Sequence, residues 1–157
     1  MLSRNRVKGL FEDYSTSLPV KKTKGPEVSL SGNADARSLF VVHNGTILVH
    51  GIVGVFTEAS DGAQGGVAVN ANLDHGGTNL CTVTDVDDQE VGTLISITGT
   101  VSDALLVGSV VNFPSKQLLL GEGTMKLELS DYTDSTGKIQ FYLFWSPVED
   151  GAYVLSA

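Results

Sequence analysis

The stretch Ser38-Leu-Phe-Val-Val-His-Asn-Gly-Thr-Ile-Leu-Val-His-Gly-Ile-Val-Gly-Val-Phe56 joins two runs rich in β-branched residues through Asn44-Gly45. Residues of this kind are enriched in strands, and Asn-Gly readily takes the positive φ angles of a type I′ turn. The stretch therefore predicts a β-hairpin that turns at Asn44-Gly45. It also marks the start of a folded body, because the chain before it is polar and irregular.

From Val67 to the C-terminus, short strand-like runs alternate with turns that contain Gly, Asn or Asp, at intervals of roughly ten residues. This spacing predicts an all-β body over residues 38–157: an antiparallel β-sandwich or jelly roll of about eight to ten strands. Residues 139–145 are apolar on both faces of the predicted strand. Either that strand is central in the sandwich or one face lies in a subunit interface, and we favour the interface for Tyr142 and Phe144.

Residues 1–37 form a predicted N-terminal arm. An apolar stripe with helical spacing consists of Val7, Leu10, Phe11 and Tyr14, which predicts a short helix over about residues 4–15. A helix of this length is marginal alone in water, so the stripe needs a surface of the body or of a partner. No periodicity follows between Pro19 and Arg37, which predicts an extended connector.

The net charge of −8 is unevenly distributed. Residues 1–25 contain six Lys or Arg and two Asp or Glu, a balance of +4, whereas the rest of the chain contains four and sixteen, a balance of −12. The six bases are Arg4, Arg6, Lys8, Lys21, Lys22 and Lys24. Such asymmetry indicates that one end contacts something acidic; a solubilising tail is the alternative.

The bases of the arm do not predict a nucleic-acid partner. They lack interleaved aromatic residues, and phosphates would repel the acidic body. Acidic groups of another protein are the expected target.

The apolar runs are strand-sized, and none reaches the roughly 18 residues that span a bilayer. No apolar segment with a cleavage site follows the first basic residues, so a secretory signal is not predicted. Cys81 is the single cysteine, which excludes an intrachain disulfide. We expect a soluble chain with no membrane partner.

No catalytic signature stands out in the sequence. A Gly-x-Ser-x-Gly nucleophile motif is missing, and the aromatic content of 7% is low for a sugar hydrolase. Two carboxylates could still meet in space, which sequence alone does not exclude. We predict that the protein is not an enzyme and uses no cofactor.

Two groups of residues are candidates for binding a metal ion. His43 and His50 flank the predicted hairpin turn and could come near each other across its ladder, but zinc would need further ligands, for which Cys81 and Asp74 are the nearby candidates. The acidic run from Asp85 to Glu90 has the density of a calcium loop without the spacing of an EF-hand. We predict unliganded histidines, a solvated acidic turn and no metal.

A basic arm on a Gly-rich, acidic, Cys-poor predicted jelly roll resembles the small accessory proteins of tailed-phage particles, in particular capsid decoration (cement) proteins. The segments that carry the resemblance are Gly92-Thr-Leu-Ile-Ser-Ile-Thr-Gly-Thr100, Leu120-Gly-Glu-Gly123 and Phe141-Tyr-Leu-Phe-Trp-Ser-Pro147. The resemblance implies a homotrimer on the capsid surface of a virion, made in the host cytoplasm. It also implies that the arm reaches across the major capsid protein or another virion protein.

The residues expected to make that contact are Arg4, Arg6, Lys8, Leu10, Phe11, Tyr14, Lys21, Lys22 and Lys24. Two alternatives remain open. One is a β-sandwich head of a tail or head fibre that binds a host receptor or carbohydrate through loops 57–66, 74–78 and 85–92. The other is a head–tail adaptor or tail-tube subunit.

Overall fold

The computed structural model describes residues 19–32, 36–61, 69–112, 116–130 and 136–157. These residues contain strands and turns and no helix. The strands are β1 (Lys21–Ser29), β2 (Ala36–His43), β3 (Ile47–Glu58), β4 (Asn70–His75), β5 (Thr78–Asn79), β6 (Thr84–Asp85), β7 (Leu94–Ser96), β8 (Leu106–Gly108), β9 (Leu118–Leu120), β10 (Gly123–Ser130), β11 (Lys138–Pro147) and β12 (Tyr153–Ser156).

The strands form two antiparallel sheets, which confirms the predicted sandwich. Sheet I has the order β1-β11-β3-β7-β8, with β9 also paired to β3, and sheet II has the order β12-β2-β10-β4-β5, with β6 also paired to β4. Four strand pairs are nested in the sequence: β1 with β11, β2 with β10, β3 with β7 and β4 with β5. These pairs alternate between the two sheets, which is the wrapping of a jelly roll.

The predicted hairpin at Asn44-Gly45 is wrong, although the turn is real. Asn44 and Gly45 have φ angles of 56° and 125°, but β2 belongs to sheet II and β3 to sheet I. The turn therefore carries the chain from one sheet to the other. A distant loop holds it there, because the Thr46 amide donates to Glu149 Oε2 at 2.6 Å and the Val148 amide donates to the Thr46 carbonyl.

The predicted extended connector contains a strand of the body. Residues 21–29 form β1, which pairs with β11 along the edge of sheet I. Its register shifts between Lys24 and Glu27, and the Gln140 side-chain amide donates to the Gly25 carbonyl inside the shift at 2.7 Å. The body therefore begins before the predicted boundary at residue 38.

Strand lengths also differ from the sequence-based expectation. The strand-like run over residues 92–101 contains only the three-residue β7, and the run over 78–84 is divided into β5 and β6. The division has a local cause: Leu80 and Cys81 are buried, and Cys81 Sγ accepts the Leu73 amide at 3.3 Å. Because short strands of this kind are counted separately, the described residues contain twelve strands, whereas the sequence predicts about eight to ten.

One core lies between the sheets. Its largest fully buried side chains include Phe40 from sheet II and Phe56 and Phe141 from sheet I. Gly54 pairs with Phe141 across the ladder, and a Cβ at Gly54 would lie 2.8 Å from the Phe141 ring. Glycine is therefore the residue that admits this ring. No helix among the described residues is long and apolar enough to cross a membrane.

Candidate interaction surface

The outer face of sheet I is largely apolar, in contrast to the usual surface of a sandwich. It arises because β3 and β11 carry apolar residues at both alternating positions, so one set fills the core and the other points away from it. We call this outer set the apolar face; it consists of Leu48, Val53, Val55, Leu94, Leu106, Leu119, Tyr142 and Phe144. Leu119 is 64% exposed, and the other members are half-buried.

The predicted interface residues Tyr142 and Phe144 lie at the centre of this face. Tyr142 pairs with Val53, and Phe144 pairs with Gly51, on the adjoining strand. Both side chains are half-buried. The structure thus brings them together with six further apolar side chains that the sequence analysis did not single out. For Leu48, Val53 and Val55 the continuous apolar composition of β3 is a signal in the sequence, but only the strand pairing shows that they share one face with Tyr142 and Phe144. Leu94, Leu106 and Leu119 likewise join the face only through the pairing.

Lysines border the apolar face along β1. Lys22 pairs with Phe144 and Lys24 with Tyr142, and Lys22 Nζ lies 5.6 Å from the centroid of the Tyr142 ring. Lys21 turns the other way, with its Nζ 5.1 Å from the centroid of the Trp145 ring. Lys21, Lys22 and Lys24, which the sequence analysis places in the arm, therefore lie in a strand of the body, and their contact with a partner stays a prediction. They lie on an edge strand, where lysine also discourages pairing with another sheet.

Carboxylates border the opposite end of the same face. Lys138 Nζ and Glu58 Oε2 are 2.7 Å apart, and Thr57 donates its hydroxyl to Glu27 Oε2 at 2.8 Å. The lysine beside it holds the pKa of the Glu58 carboxyl below its ordinary value, and Glu58 in turn raises the pKa of Lys138. The start of the apolar face thus carries Lys22 and Lys24, whereas its opposite end carries the carboxylates of Glu27 and Glu58 together with Lys138, which is bound to Glu58.

A hydrogen-bonded chain fixes the point where residue 19 meets the apolar face. Gln117 Nε2 donates to His50 Nδ1 at 2.9 Å, which leaves His50 Nε2 as a donor to Ser146 Oγ at 2.8 Å. Ser146 Oγ then donates to the Pro19 carbonyl at 3.1 Å. Because Ser146 is fully buried, this hydrogen bond holds Pro19 beside Ser146 on the edge of sheet I.

The outer face of sheet II is polar. We call this set the polar face; it consists of Asn70, Asn72, Asp74, Thr124, Lys126 and Glu128. Asn72 donates to Asn79 Oδ1 at 3.1 Å and to Glu128 Oε2 at 3.3 Å. Apolar Val41 and Leu155 lie beside it on the β2–β12 side.

The histidines do not converge. His43 stacks on Tyr153 with ring centroids 5.0 Å apart, whereas His50 lies on sheet I, so the expected approach of His43 to His50 is wrong. His75 Nε2 donates to the Gly121 carbonyl at 2.9 Å, and its buried Nδ1 has no partner among the described residues. Within the described part of the chain, no three His, Cys, Asp or Glu side chains are placed to hold a metal ion.

Side chains of the acidic loop after β6 form hydrogen bonds with backbone groups of the same loop. The Asp87 amide donates to Asp85 Oδ1 at 2.8 Å, and Gln89 Nε2 donates to the Asp87 carbonyl at 2.6 Å. Burial raises the pKa of the Asp87 carboxyl, and the charges of Asp85 and Asp88 raise it further. Burial likewise raises the pKa of the Cys81 thiol, which keeps it in the less reactive protonated form.

A shallow cleft of about 280 Å³ lies at one end of the sandwich, between the turn after β4 and strand β9. Its lining includes His75, Leu80, Val101 and Leu119. The walls are mainly apolar, and Leu119 joins the cleft to the margin of the apolar face.

The remaining predicted contact residues, Arg4, Arg6, Lys8, Leu10, Phe11 and Tyr14, lie outside the described residues, as does the predicted helix. Comparisons with protein-family models, with curated proteins and with solved structures gave no match to this chain.

Proposed function

We propose that this chain is a structural protein of a tailed-phage particle, of the capsid-decoration kind. It binds the outside of the shell and stabilises it by contact, without catalysis. The observation that carries the proposal is the apolar face with its lysine border, on a jelly roll that presents a polar face on the opposite side. An exposed apolar patch with a polar rim is typical of an interaction site.

Self-association through the apolar face would form the particle-bound unit, for which we propose a homotrimer. Tyr142 and Phe144 are central because buried aromatic side chains dominate contact energies at interfaces. The N-terminal arm would add a second contact, to the major capsid protein or another virion protein. Many weak contacts repeated over a lattice give strong binding overall, and binding only to the assembled shell stabilises that shell.

The polar face suits the outward position in this arrangement. Its side chains are mostly polar, and the net charge of −8 favours repulsion between particles.

The test uses particles purified from the source of the gene and an antibody raised against the full chain. Regular gold labelling over the shell in electron micrographs is the expected result. Labelling only at fibre tips would move the protein to a receptor-binding head, and labelling only at the neck or tail would move it to an adaptor or tube subunit. Particles without label would overturn the virion role.

A matched pair of variants then tests the face. Tyr142→Ser with Phe144→Ser should weaken rebinding of the purified protein to stripped particles by a large factor. Thr124→Ser with Glu128→Ser, which alters the polar face, should leave rebinding unchanged. Equal loss in both variants would show that the apolar face has no special role.

A further inference from the structure

We propose that the apolar face is the docking surface for the N-terminal segment of the same chain, residues 1–18, before any partner is met. The stripe Val7, Leu10, Phe11 and Tyr14 would pack over Phe144, Tyr142 and Val53. The sequence alone leaves the body and a partner equally open as the surface for this stripe; the geometry of the body points to its own sheet I.

Residues 1–18 join the body at Pro19, beside the apolar face. The Pro19 carbonyl is bound by buried Ser146, and Ser146 is in turn bound by His50. Phe144 lies two residues from Ser146 on β11, so both point to the same side of sheet I. A segment that starts here reaches the apolar face without crossing either edge of the sheet.

The lengths agree as well. From Ser146 to Lys138, β11 extends about 27 Å at roughly 3.4 Å per residue. Residues 15–18 span up to about 13 Å when extended, and Val7 to Tyr14 covers about 10 Å as a helix. The stripe would therefore lie over the middle of β11, opposite Phe144 and Tyr142.

The charges of the segment favour one direction of residues 1–18 along β11. In the docked segment, Glu12 and Asp13 would lie near the start of the face, where β1 presents Lys22 and Lys24. Arg4 and Arg6 would then reach the far end.

Two carboxylates lie at that far end, Glu27 and Glu58, and Lys138 is bound to Glu58, so the two negative charges there exceed the one positive charge. The segment and the face thus have opposite charge order, so the antiparallel arrangement pairs unlike charges at both ends. Docking on the polar face would place the apolar stripe over Asn70, Lys126 and Glu128 and would leave most of it without apolar contact.

The test is photo-crosslinking in the full-length protein, with Tyr142 replaced by the benzophenone amino acid p-benzoylphenylalanine. Tandem mass spectrometry should locate the crosslinks from position 142 to residues 10–14 within the peptide that contains residues 9–21; crosslinks confined to residues 19–21, which β1 already places near Ser146 and Trp145, would overturn the proposal. The same probe at Glu128, on the polar face, is the matched control and should not reach that peptide. Position 142 crosslinking elsewhere, or to no protein peptide, would overturn the proposal.

Isotope mixing shows whether the segment on the apolar face belongs to the same chain or to a second copy. An equal mixture of ¹⁴N and ¹⁵N chains should give crosslinked products of a single label, since the segment and the face belong to one chain. Products of mixed label would show that a second copy supplies the segment, and the proposal would then be wrong in its occupant.

A charge exchange provides the last arm of the test. Glu12→Lys with Asp13→Lys should lower the crosslinking yield several-fold, and adding Lys22→Glu with Lys24→Glu should restore it. If neither pair of substitutions changes the crosslinking yield, the proposed orientation of the segment is wrong. The docking does not depend on the particle: failure of crosslinking would leave shell labelling intact, and failure of labelling would leave crosslinking intact.

Discussion

The two outer faces of this sandwich follow opposite rules. On sheet II, strand β10 reads Thr124-Met-Lys-Leu-Glu-Leu129, and its burial alternates strictly, with Met125, Leu127 and Leu129 inside. On sheet I, strand β11 reads Phe141-Tyr-Leu-Phe-Trp145 and carries apolar side chains on both faces. One sheet therefore satisfies its own core and presents polar groups to water, whereas the other has apolar surface left over.

The difference teaches where to look for contact in an all-β protein. Half-buried apolar residues in a strand are unremarkable one at a time, because much of any protein surface is apolar. They become informative when neighbouring strands present them on the same outer face, as Val53 of β3 and Tyr142 of β11 do. We infer that the second apolar set on sheet I is retained for binding.

The largest effect should come from the inner face of β11, which gives a baseline for the outer face. Phe141→Ala should lower the free energy of unfolding by about 3–5 kcal/mol, because it opens a cavity in the core. Tyr142→Ala, one residue along, should cost about 1 kcal/mol, since its side chain is only half-buried. Denaturant unfolding measures both. Equal costs would mean that Tyr142 is part of a sealed core and that the apolar face is not available for contact.

The turns of the two sheets offer a second comparison. Gly99, after β7 of sheet I, has a φ of +86°, and a Cβ there would collide with the Lys116 carbonyl. Gly77, after β4 of sheet II, also has a φ of +86°, but a Cβ there would meet nothing within 4 Å. Gly77→Ala should therefore cost only the strain of the left-handed backbone, about 1–2 kcal/mol.

Gly99→Ala should cost clearly more than Gly77→Ala, by about 1–3 kcal/mol for the displaced backbone. Thermal unfolding of the two variants under the same conditions measures the difference. Equal melting temperatures would show that the Lys116 segment moves aside freely, so that the turn of sheet I is not held in place.

A polar substitution at one matched position on each outer face should give a smaller difference. Val53→Asp removes half-buried apolar surface and should destabilise by about 1–2 kcal/mol. Thr124→Asp, at a half-buried position on the polar face, should stay within about 0.5 kcal/mol of the parent. If both variants lose the same stability, the outer faces do not differ in the way their composition indicates.

The sequence predicts the layers of this fold better than its pairings. Turn residues and alternation are local signals, so the sandwich follows from them. The hairpin at Asn44-Gly45 fails because a turn with positive φ does not determine which strand its neighbours pair with. In the jelly roll, β2 pairs with β10 and β3 pairs with β11, and the paired residues are about 80 to 100 positions apart in sequence.

The candidate surface was predictable in part for the same reason. Tyr142 and Phe144 stand out because their strand is apolar throughout, but their neighbours on β3, β7 and β9 come into view only once the pairing is known. The sequence analysis places Lys21, Lys22 and Lys24 in the extended connector of the arm because a bulged edge strand with Gly25 and Pro26 has no regular alternation. An irregular strand of this kind resembles a linker in sequence.

The smallest expected effects are electrostatic, and they have opposite signs at two sites. Glu58, on the outer side of sheet I, has a pKa lowered chiefly by its hydrogen bond from Lys138. Its contribution to stability is present above the pKa of the unfolded chain and is lost as pH falls through the lower folded value. Glu58→Gln should therefore slightly lower the melting temperature at neutral pH and have no effect in acid.

Asp87, in the loop that leaves sheet II, should behave in the opposite way. Its folded pKa is raised chiefly by burial, so the protonated form is the one that folding favours. That contribution is complete below the unfolded pKa and is lost as pH rises through the folded value, because the charged carboxylate then sits beside Asp85 and Asp88. Asp87→Asn, which mimics the neutral form, should slightly raise the melting temperature at neutral pH, and the gain should vanish in acid. Melting curves of the two variants and the parent, recorded from neutral to acid pH, measure both effects. A lower melting temperature for Asp87→Asn at neutral pH would show that the fold stabilises Asp87 as an anion, through hydrogen bonds from backbone amides.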